Sequence, residues 1–407
     1  MVFETSSVLK CPSRMRWYRN PWNMSLLGIA VRILLIPSAL AFLGLPNDHF
    51  QGNEPSHIAA HLVRGDGFAS PYTALPIPTA QQPPLYPFFI AGVFFVFGIF
   101  STMSLYALLI VNAIVGGFTA LFVYRAGTKY FSLPVGLIAG WGWTLLPTVV
   151  VTDLTLAAYS FATLAVMIWL NHVPALVPRV RNWVLLGLGL GAMMLLNPML
   201  VLLIPASRFW LSGKQILVMS LSAFFILAPW YVRNYRTMGH CYLGLRDNFG
   251  LELYLGNHVG MSGTYDYWHP DSPYTAAEMP GVGEARFFEV RQQKAIAFIR
   301  AEPSAFLLRS CQRVGEFWLR PWPWLYVLLL AFAVLGLRSA PEPLRWFVST
   351  LFLLYPLAFY VTQVSWPTIY RHPIEPLILL MASSVLYRYK HLMERFLPRR
   401  VLSRPFS

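Results

Sequence analysis

The chain has 407 residues, of which 56% are hydrophobic and only 12% charged, whereas a soluble domain carries about 25% charged residues. This composition excludes an ordinary soluble protein and indicates a membrane protein. Basic residues in the cytoplasmic loops of a polytopic protein explain the net charge of +14 better than nucleic-acid binding does. The three cysteines are too few for a disulfide framework or a cysteine-rich zinc site, and the CxxC, Walker A and GxGxxG motifs do not occur.

Long apolar runs predict the membrane spans, since a helix needs about 20 apolar residues to cross a bilayer. The first run, Met24 to Leu45, follows a basic tail that is expected to stay in the cytoplasm. Arg32 lies within this run and is expected to snorkel to the cytoplasmic side. Nine further runs cover residues 104–124, 133–151, 154–171, 183–196, 199–213, 215–231, 322–337, 345–362 and 374–389. The sequence thus predicts an all-α polytopic protein with about ten transmembrane helices.

The apolar run 85–100 is too short for a comfortable span, and it directly follows two prolines. If it does not cross the membrane, the basic residues between the later spans fall on the cytoplasmic side, as the positive-inside rule requires. We therefore expect this segment to lie as a helix in the outer interface.

Two long segments then face the outside: a first outer loop, 46–103, and a second outer loop, 232–321, between spans seven and eight. The predicted organisation is a membrane core over 1–231 that includes the first outer loop, an outer region over 232–321, and C-terminal spans with a cytoplasmic tail over 322–407. We find no internal repeat of the kind common in transporters.

Besides the helix over 85–100, three short amphipathic helices are predicted in these loops. Glu54 to Val63 has apolar and polar residues on separate faces, as a surface helix does. In the second outer loop, Glu284–Arg300 and Ser304–Leu319 are amphipathic, are separated by Pro303, and have apolar faces that suit the membrane surface.

Glu54 is the acidic residue of the first outer loop that stands on a predicted helix. Partial desolvation at the membrane interface raises the pKa of a carboxylate and makes it a usable general base. The alternatives are a solvated helix residue, or a favourable negative charge in the first helical turn beside Pro55. The residues alone leave this choice open.

Asp153 follows the third span at its outer end. An ionisable residue near membrane depth is a functional candidate, and the alternative is a helix N-cap for the next span. Arg233 ends the seventh span and Arg371, followed by His372, begins the tenth. A guanidinium can bind two phosphate oxygens at once, but interfacial snorkelling would also explain these arginines.

Metal chemistry is not expected. Glu54 and His57 have the spacing of half a carboxylate metal site, but a second Glu-x-x-His is missing. Asp-x-Asp, a ligand motif for metal and sugar nucleotides, does not occur, so a nucleotide-sugar donor is not expected. Cys241 and Cys311 both face the outside in this topology, where an oxidising compartment would allow a disulfide, but free thiols are the expectation.

Several different short motifs occur in a definite order along the outer segments. In the first loop they are Glu54, Ile58-Ala59, Leu62, Gly65 to Phe68, Pro78 to Ala80 and Pro83 to Pro87. Later they are Ala228 to Tyr235, Leu255 to His258, His269-Pro270, Gly283-Glu284 and Tyr370 to Pro376. This order, over about residues 25 to 390, resembles bacterial GT-C membrane glycosyltransferases, the relatives of protein O-mannosyltransferases and of the lipid A aminoarabinose transferase.

The resemblance implies transfer of a sugar from a polyprenyl-phosphate donor to a hydroxyl group of a lipid, glycan or protein, without a cofactor. It implies a protein of the bacterial inner membrane whose active site faces the periplasm. In that family an acidic residue of the first loop is the base, and Glu54 occupies the matching position. Many relatives carry Asp, or an Asp-Glu pair, where this chain has Asn53-Glu54, so Asp48 is the second candidate.

A mechanism follows from this assignment. The base removes the acceptor proton as the oxygen attacks the anomeric carbon, and positive groups stabilise the leaving phosphate. Arg233 and Arg371 are the candidates for phosphate binding, with Arg320 and His372 as alternatives. The candidates for substrate binding are Asp153, Asn257 and His258. Direct displacement assisted by one base predicts inversion at the anomeric carbon.

Two other classes of function remain open. A transporter or flippase for lipid-linked sugars would also be polytopic and basic on the inside, but the missing repeat and the few ionisable residues in the spans weigh against it. A non-catalytic scaffold would not depend on Glu54. The identity of the sugar and of the acceptor, and the oligomeric state, are not encoded in any pattern that we find.

Overall fold

The computed structural model describes residues 17–42, 50, 53–175, 179–239, 244–261 and 279–396. Within these ranges the chain is helical, and the one β-type pairing is an isolated antiparallel bridge between Ala69 and Pro78. The predicted all-α class is confirmed for this part of the chain.

Ten helices form the described part of the chain up to residue 238: α1 Pro21–Phe42, α2 Glu54–Arg64, α3 Leu85–Phe97, α4 Thr102–Tyr130, α5 Leu133–Leu145, α6 Pro147–Asp153, α7 Tyr159–His172, α8 Val180–Met194, α9 Leu203–Ala206 and α10 Gly213–Met238. Nine follow in the described part of the remainder: α11 Phe249–Gly256, α12 Met279–Val282, α13 Glu284–Ala301, α14 Pro303–Leu319, α15 Pro323–Ser339, α16 Glu342–Leu354, α17 Leu357–Val361, α18 Pro367–Arg371 and α19 Glu375–Phe396. Short 3₁₀ turns, among them Pro198–Leu202 and His372–Ile374, connect some of them.

Every predicted apolar run overlaps a helix or two or three short helical elements, but not all of these are long enough to cross a membrane. By length and composition, four helical segments in the described chain qualify: Pro21–Ala41, Thr102–Tyr130, Gly213–Met238 and Glu342–Val361. Two bent pairs, α5 with α6 at 57° and α14 with α15 at 85°, raise the number to six if each pair forms one span. The count of ten spans therefore remains a prediction.

The helices pack closely where glycine replaces a larger side chain. A Cβ atom at Gly187 of α8 would collide with the backbone oxygen of Met219 on α10, and one at Gly191 would lie 2.6 Å from the oxygen of Ala223. Small residues allow such close contact between membrane helices, where packing and not the hydrophobic effect holds the helices together. On its other side α10 exposes Leu217, Leu221 and Phe225, as a lipid-facing surface would.

Helices α2, α3, α13 and α14 of the outer segments lie where the sequence predicts them, whereas α11 and α12 were not predicted. Helix α3 has 13 residues and is about 20 Å long, which is shorter than the roughly 30 Å core of a bilayer. Helices α13 and α14 match the two predicted amphipathic helices, with the break at Glu302 and Pro303. These helices cover the end of the bundle at which the first outer loop lies.

The two outer loops are in direct contact. Ser70 Oγ in the first loop donates to Glu284 Oε2 in the second at 2.6 Å, and the backbone N–H of Asp247 donates to the carbonyl of Ala80 at 3.2 Å. Both loops therefore lie on the same face of the bundle, as the predicted topology requires.

Candidate active site

Helix α2 begins at the residue that the sequence singles out. The Asn53 side chain caps the helix by accepting from the backbone N–H of Ser56 at 3.1 Å, and Pro55 occupies the first turn, where no backbone donor is needed. Gly65 ends the helix with a left-handed φ of +88°, which glycine adopts without strain. Asn53 Nδ2 also donates to the carbonyl of Leu156 at 2.6 Å. The cap thus fixes Glu54 between the first outer loop and the start of α7.

The Glu54 carboxylate is half-buried and accepts hydrogen bonds on both oxygens. Tyr72 OH donates to Oε1 at 2.8 Å. Gln81 Nε2 and Gln82 Nε2 donate to Oε2 at 3.0 and 2.5 Å. All three donors belong to the first outer loop, so the loop folds around this carboxylate and holds its orientation.

Arg246 of the second outer loop lies beside this group. Its Nε donates to the backbone carbonyl of Gln81 at 2.7 Å, and Gln81 is in turn a donor to Glu54. The two terminal nitrogens of Arg246 make no hydrogen bond or ion pair with the described residues. The guanidinium group of Arg246 is therefore linked to the Glu54 carboxylate through a single residue, Gln81. Its two terminal nitrogens could still donate hydrogen bonds, as far as the described residues show.

A second carboxylate, Glu252 of α11, belongs to the same cluster. Burial raises the pKa of Glu252 above its ordinary value, the charge of Arg246 opposes this shift, and the charge of Glu54 adds to it. The carboxylates of Glu54 and Glu252 and the guanidinium of Arg246 therefore share one polar site, which we call the outer cluster.

A pair of buried acids locks the two loops together behind the outer cluster. Glu284 accepts from Ser70 and from Thr79 Oγ1, while neither carboxylate oxygen of Asp247 has a hydrogen-bond donor among the described residues. Burial raises the pKa of Asp247 to about 6. Burial and the charge of Asp247 raise the pKa of Glu284 well above its ordinary value. The pair thus favours a shared proton.

Arg233, a predicted phosphate ligand, is used to hold the first outer loop. Its guanidinium donates to the carbonyls of Thr79 and Phe68. Its carbon lies 5.4 Å from the ring centroid of Phe68 and 5.0 Å from that of Trp230, within the range of cation–π attraction. These contacts account for the arginine without a ligand.

Arg371 and His372 are both buried, with 0% and 1% exposure. The Arg371 guanidinium donates to Glu375 Oε2 at 2.7 Å and to the backbone carbonyls of Phe317 and Arg320. All three of its nitrogens are thus occupied. The side chain of Arg320, the residue after α14, is 65% exposed and lies 3.7 Å from Glu316 of that helix, outside the contacts of the outer cluster.

Asp153 is fully buried between Arg32 Nε at 2.8 Å and His372 Nε2 at 2.9 Å. It is the last residue of α6, so its interpretation as an N-cap for the next span is wrong. Snorkelling of Arg32 is wrong as well, since its side chain is 0% exposed and also donates to the carbonyls of Gly28, Thr144 and Trp143. A paired charge costs less than a solitary one inside the bundle, which explains why the arginine turns inward.

Asn257 and His258, the remaining predicted substrate ligands, lie at the end of α11 and are buried. Asn257 Nδ2 donates to the carbonyls of Leu253 and Val361, and Arg313 donates to Asn257 Oδ1 at 3.1 Å. These contacts tie the second outer loop to the segment after α17. The structure brings neither residue to the Glu54 carboxylate.

Two other predictions fall outside the described residues: Asp48 as the second candidate base, and the state of Cys241. Cys311 is a free, exposed thiol. Within the described ranges no group of three or more His, Cys, Asp or Glu side chains is arranged to hold a metal ion.

Arg246 and Glu252 are the site residues that the sequence reasoning missed. Both residues follow an apolar or glycine-containing stretch in the second outer loop. This loop carries many other charged residues, so neither spacing nor composition distinguishes Arg246 and Glu252 from the rest. The signal that was available is the segment Phe249–Gly256, where a single acid interrupts an apolar helix of eight residues. A lone buried carboxylate requires partners, which would have marked Glu252.

No protein-family model matches the chain, and no curated protein sequence matches it significantly. Among solved structures it is similar to ArnT from Cupriavidus metallidurans, crystallised bound to undecaprenyl phosphate, with 12% identity and a TM-score of 0.49. The aligned region covers 91% of this chain but 62% of that one, so the chain spans about three fifths of the length of this structure.

Proposed function

We propose that the protein is a membrane glycosyltransferase that moves a sugar from a polyprenyl-phosphate donor to an acceptor hydroxyl on the outer face of the membrane. The observation that carries the proposal is the outer cluster: an oriented carboxylate, Glu54, next to Arg246, whose two terminal nitrogens bond to none of the described residues. The first-loop motif order that resembles GT-C enzymes surrounds this same carboxylate.

Glu54 is the proposed general base. A hydroxyl group has a pKa far above neutrality, so it needs an adjacent base as it attacks the anomeric carbon. The three side-chain donors to Glu54 restrict the carboxylate to one orientation, which is what a positioned base requires. One base and direct displacement give inversion of the anomeric configuration.

Arg246 is the proposed partner of the donor phosphate, in place of Arg233 and Arg371. The leaving phosphate gains negative charge as the glycosidic bond breaks, and a fixed positive group stabilises that charge. The two terminal nitrogens of Arg246 can bind two phosphate oxygens, whereas the contacts within the protein already use the guanidinium groups of the other two arginines.

Replacement of Glu54 by Gln tests the proposal, because the amide keeps the shape of the side chain but cannot take the proton. We expect turnover to fall by about 10²- to 10⁴-fold, with unchanged expression. Turnover is measured with membranes by mass spectrometry of lipid-linked sugars and glycosylated products. Glu289→Gln, which alters an exposed acid of α13, is the control and should retain wild-type turnover.

Two outcomes would contradict this assignment. Full activity of Glu54→Gln together with an inactive Asp48→Asn would move the base to Asp48. A product that retains the anomeric configuration of the donor, determined by NMR, would exclude direct displacement.

A further inference from the structure

Glu252 has no role in the proposed chemistry, although hydrogen bonds hold both oxygens of its carboxylate in place. Its Oε1 accepts from Asn248 Nδ2 at 2.8 Å, and its Oε2 accepts from Gln363 Nε2 at 2.8 Å. Gln363 lies after α17, so these bonds join α11 to the segment before the last helices. Two amide donors hold the carboxylate, and a carboxylate has about four acceptor positions, so acceptor capacity remains.

An aromatic wall stands next to this carboxylate. The rings of Tyr159 and Tyr370 meet edge to face with centroids 5.9 Å apart, and Phe359 stacks behind Tyr370 at 4.7 Å. Gln363 Nε2 donates to Tyr370 OH at 3.1 Å. The same side chain therefore orients both the Glu252 carboxylate and the ring of Tyr370 in the aromatic wall.

Tyr159 marks where the wall meets the outer cluster. It is the first residue of α7, and its hydroxyl is close enough to Arg246, Glu252 and Glu54 to sense the charge of each. Within the described residues this hydroxyl makes no hydrogen bond. Among the described residues it is therefore a polar group beside the outer cluster whose hydrogen-bonding capacity is unused.

A sugar ring has the chemistry that complements these groups. Its hydroxyl groups donate to carboxylates, its C–H faces pack against aromatic rings, and few oriented polar groups suffice to select one ligand. Glu252 is close enough to the proposed base and to the proposed phosphate partner to sense the charge of each, so it lies near the region that the transferred sugar would occupy.

We propose that Glu252 and Tyr159 form the subsite for the transferred sugar ring: Glu252 accepts hydrogen bonds from the sugar hydroxyls and Tyr159 packs against the ring. The inference rests on the proposed function for the identity of the ligand. The two carboxylates then have different roles: Glu54 removes the proton of the acceptor hydroxyl, and Glu252 recognises the sugar of the donor.

The test measures binding, so it does not require turnover. Purified protein in nanodiscs is titrated with polyprenyl phosphate that carries glucose, mannose or arabinose, and with polyprenyl phosphate alone. We expect wild type to bind at least one of the sugar-linked lipids more tightly than the bare lipid. Glu252→Gln should weaken that binding by about 10- to 100-fold, the size of a hydrogen bond to a charged group, and leave the affinity for the bare lipid unchanged.

Tyr159→Leu supplies a second readout if Glu252→Gln folds poorly. It should weaken binding of the sugar-linked lipid by about 3- to 10-fold, as expected for loss of an aromatic contact. Glu289→Gln is again the control and should bind like wild type. Where turnover is measurable, Glu252→Gln should raise KM more than it lowers kcat, and the product should keep the same anomeric configuration.

Different results would overturn the two proposals. Wild type that binds every sugar-linked lipid no better than bare polyprenyl phosphate, or a Glu252→Gln variant that keeps the preference, overturns the sugar subsite. A preference that depends on Glu252 while Glu54→Gln remains fully active supports the subsite and refutes the proposed base.

Discussion

Two groups of charged residues in this protein have opposite characters. In the inner network, Asp153 bridges Arg32 and His372 while Arg371 pairs with Glu375, and all five side chains are at most 3% exposed. In the outer cluster, by contrast, Glu54 and Glu252 are only partly covered, and Arg246 and Tyr159 keep donors that no described residue uses. Within the described residues, the charges of the inner network are all paired, whereas donors of the outer cluster remain without a partner.

The difference teaches how to assign roles to charges in a membrane protein. An ionisable residue within a span is a functional candidate by default, and Asp153 and Arg371 meet that criterion. Their partners, however, satisfy them fully, and a buried pair that loses one member leaves an uncompensated charge. We therefore expect the inner network to determine stability and the outer cluster to determine turnover.

The largest effect should follow from removal of Asp153. Asp153→Ala leaves Arg32 and His372 without their shared partner, which should destabilise the fold by about 3–5 kcal/mol. Thermal unfolding in detergent, followed by size-exclusion chromatography, measures this loss. Glu54→Gln should cost less, about 1 kcal/mol, because an amide replaces a half-buried carboxylate that accepts three hydrogen bonds. Equal stability of the two variants would remove the distinction between the inner network and the outer cluster.

A second experiment compares two arginines. Arg246→Gln should reduce turnover by about 10²- to 10³-fold with little change in stability. Arg371→Gln should lower the unfolding temperature, because Glu375 then lacks its charged partner, while the protein that remains folded keeps its affinity for polyprenyl phosphate. If instead only Arg371→Gln weakens lipid binding, the phosphate site belongs to the inner network.

A methyl group placed against the inner network should have a smaller effect. A Cβ atom at Gly116 would collide with the Asp153 carboxylate and lie 2.6 Å from Arg32 Nε, so Gly116→Ala should cost about 1–3 kcal/mol. Gly189→Ala on α8, where no atom lies within 4 Å of the new Cβ, should be neutral or stabilising by about 0.5–1 kcal/mol. Unfolding temperatures of the two variants test this contrast, which fails if both behave alike.

The smallest expected effect is a pH dependence from Asp247 and Glu284. The pKa of Asp247 rises from 3.8 to about 6 on folding, so the folded state binds more protons and its stability falls as the pH rises through this range. The loss should be on the order of 1 kcal/mol, since Arg233 and Arg246 offset part of the negative charge. Unfolding temperatures between pH 4 and 7 measure it, with wild type most stable at the acidic end.

Glu284→Gln is the matched variant for this effect. It removes one carboxylate of the pair, so the decline with pH should become shallower and the variant should be more stable than wild type at pH 7. A decline that is as steep in the variant as in wild type would place the titrating group elsewhere.

The sequence predicted much of the local structure. The helix that starts at Glu54, the short helix within residues 85–100 and the two amphipathic helices around Pro303 all occur where the pattern of apolar residues places them. Glu54 could be named as a candidate because it is an acid beside a helix-starting proline, in a loop with few other acids, and the resemblance to GT-C enzymes assigned it the role of base. These are features of neighbouring residues, which a sequence displays directly.

The pairing of charges could not be predicted in the same way. Asp153 and His372 are 219 positions apart, and nothing in either segment indicates the other, so Arg32 was expected to snorkel and Arg371 to bind phosphate. The same limit hid Arg246 and Glu252, which are two charges among many in a long polar loop. Their proximity to Glu54 follows from the contact between the two outer loops.

The sequence by itself determined that this is a helical membrane protein, in which segments its long apolar helices lie, and which acid begins α2, because composition, period and capping act over a few residues. Only the tertiary structure decided which charged side chains are paired inside the bundle and which keep donors or acceptors available in the outer cluster. That decision depends on desolvation and on partners from distant segments, and both exist only once the helices have packed.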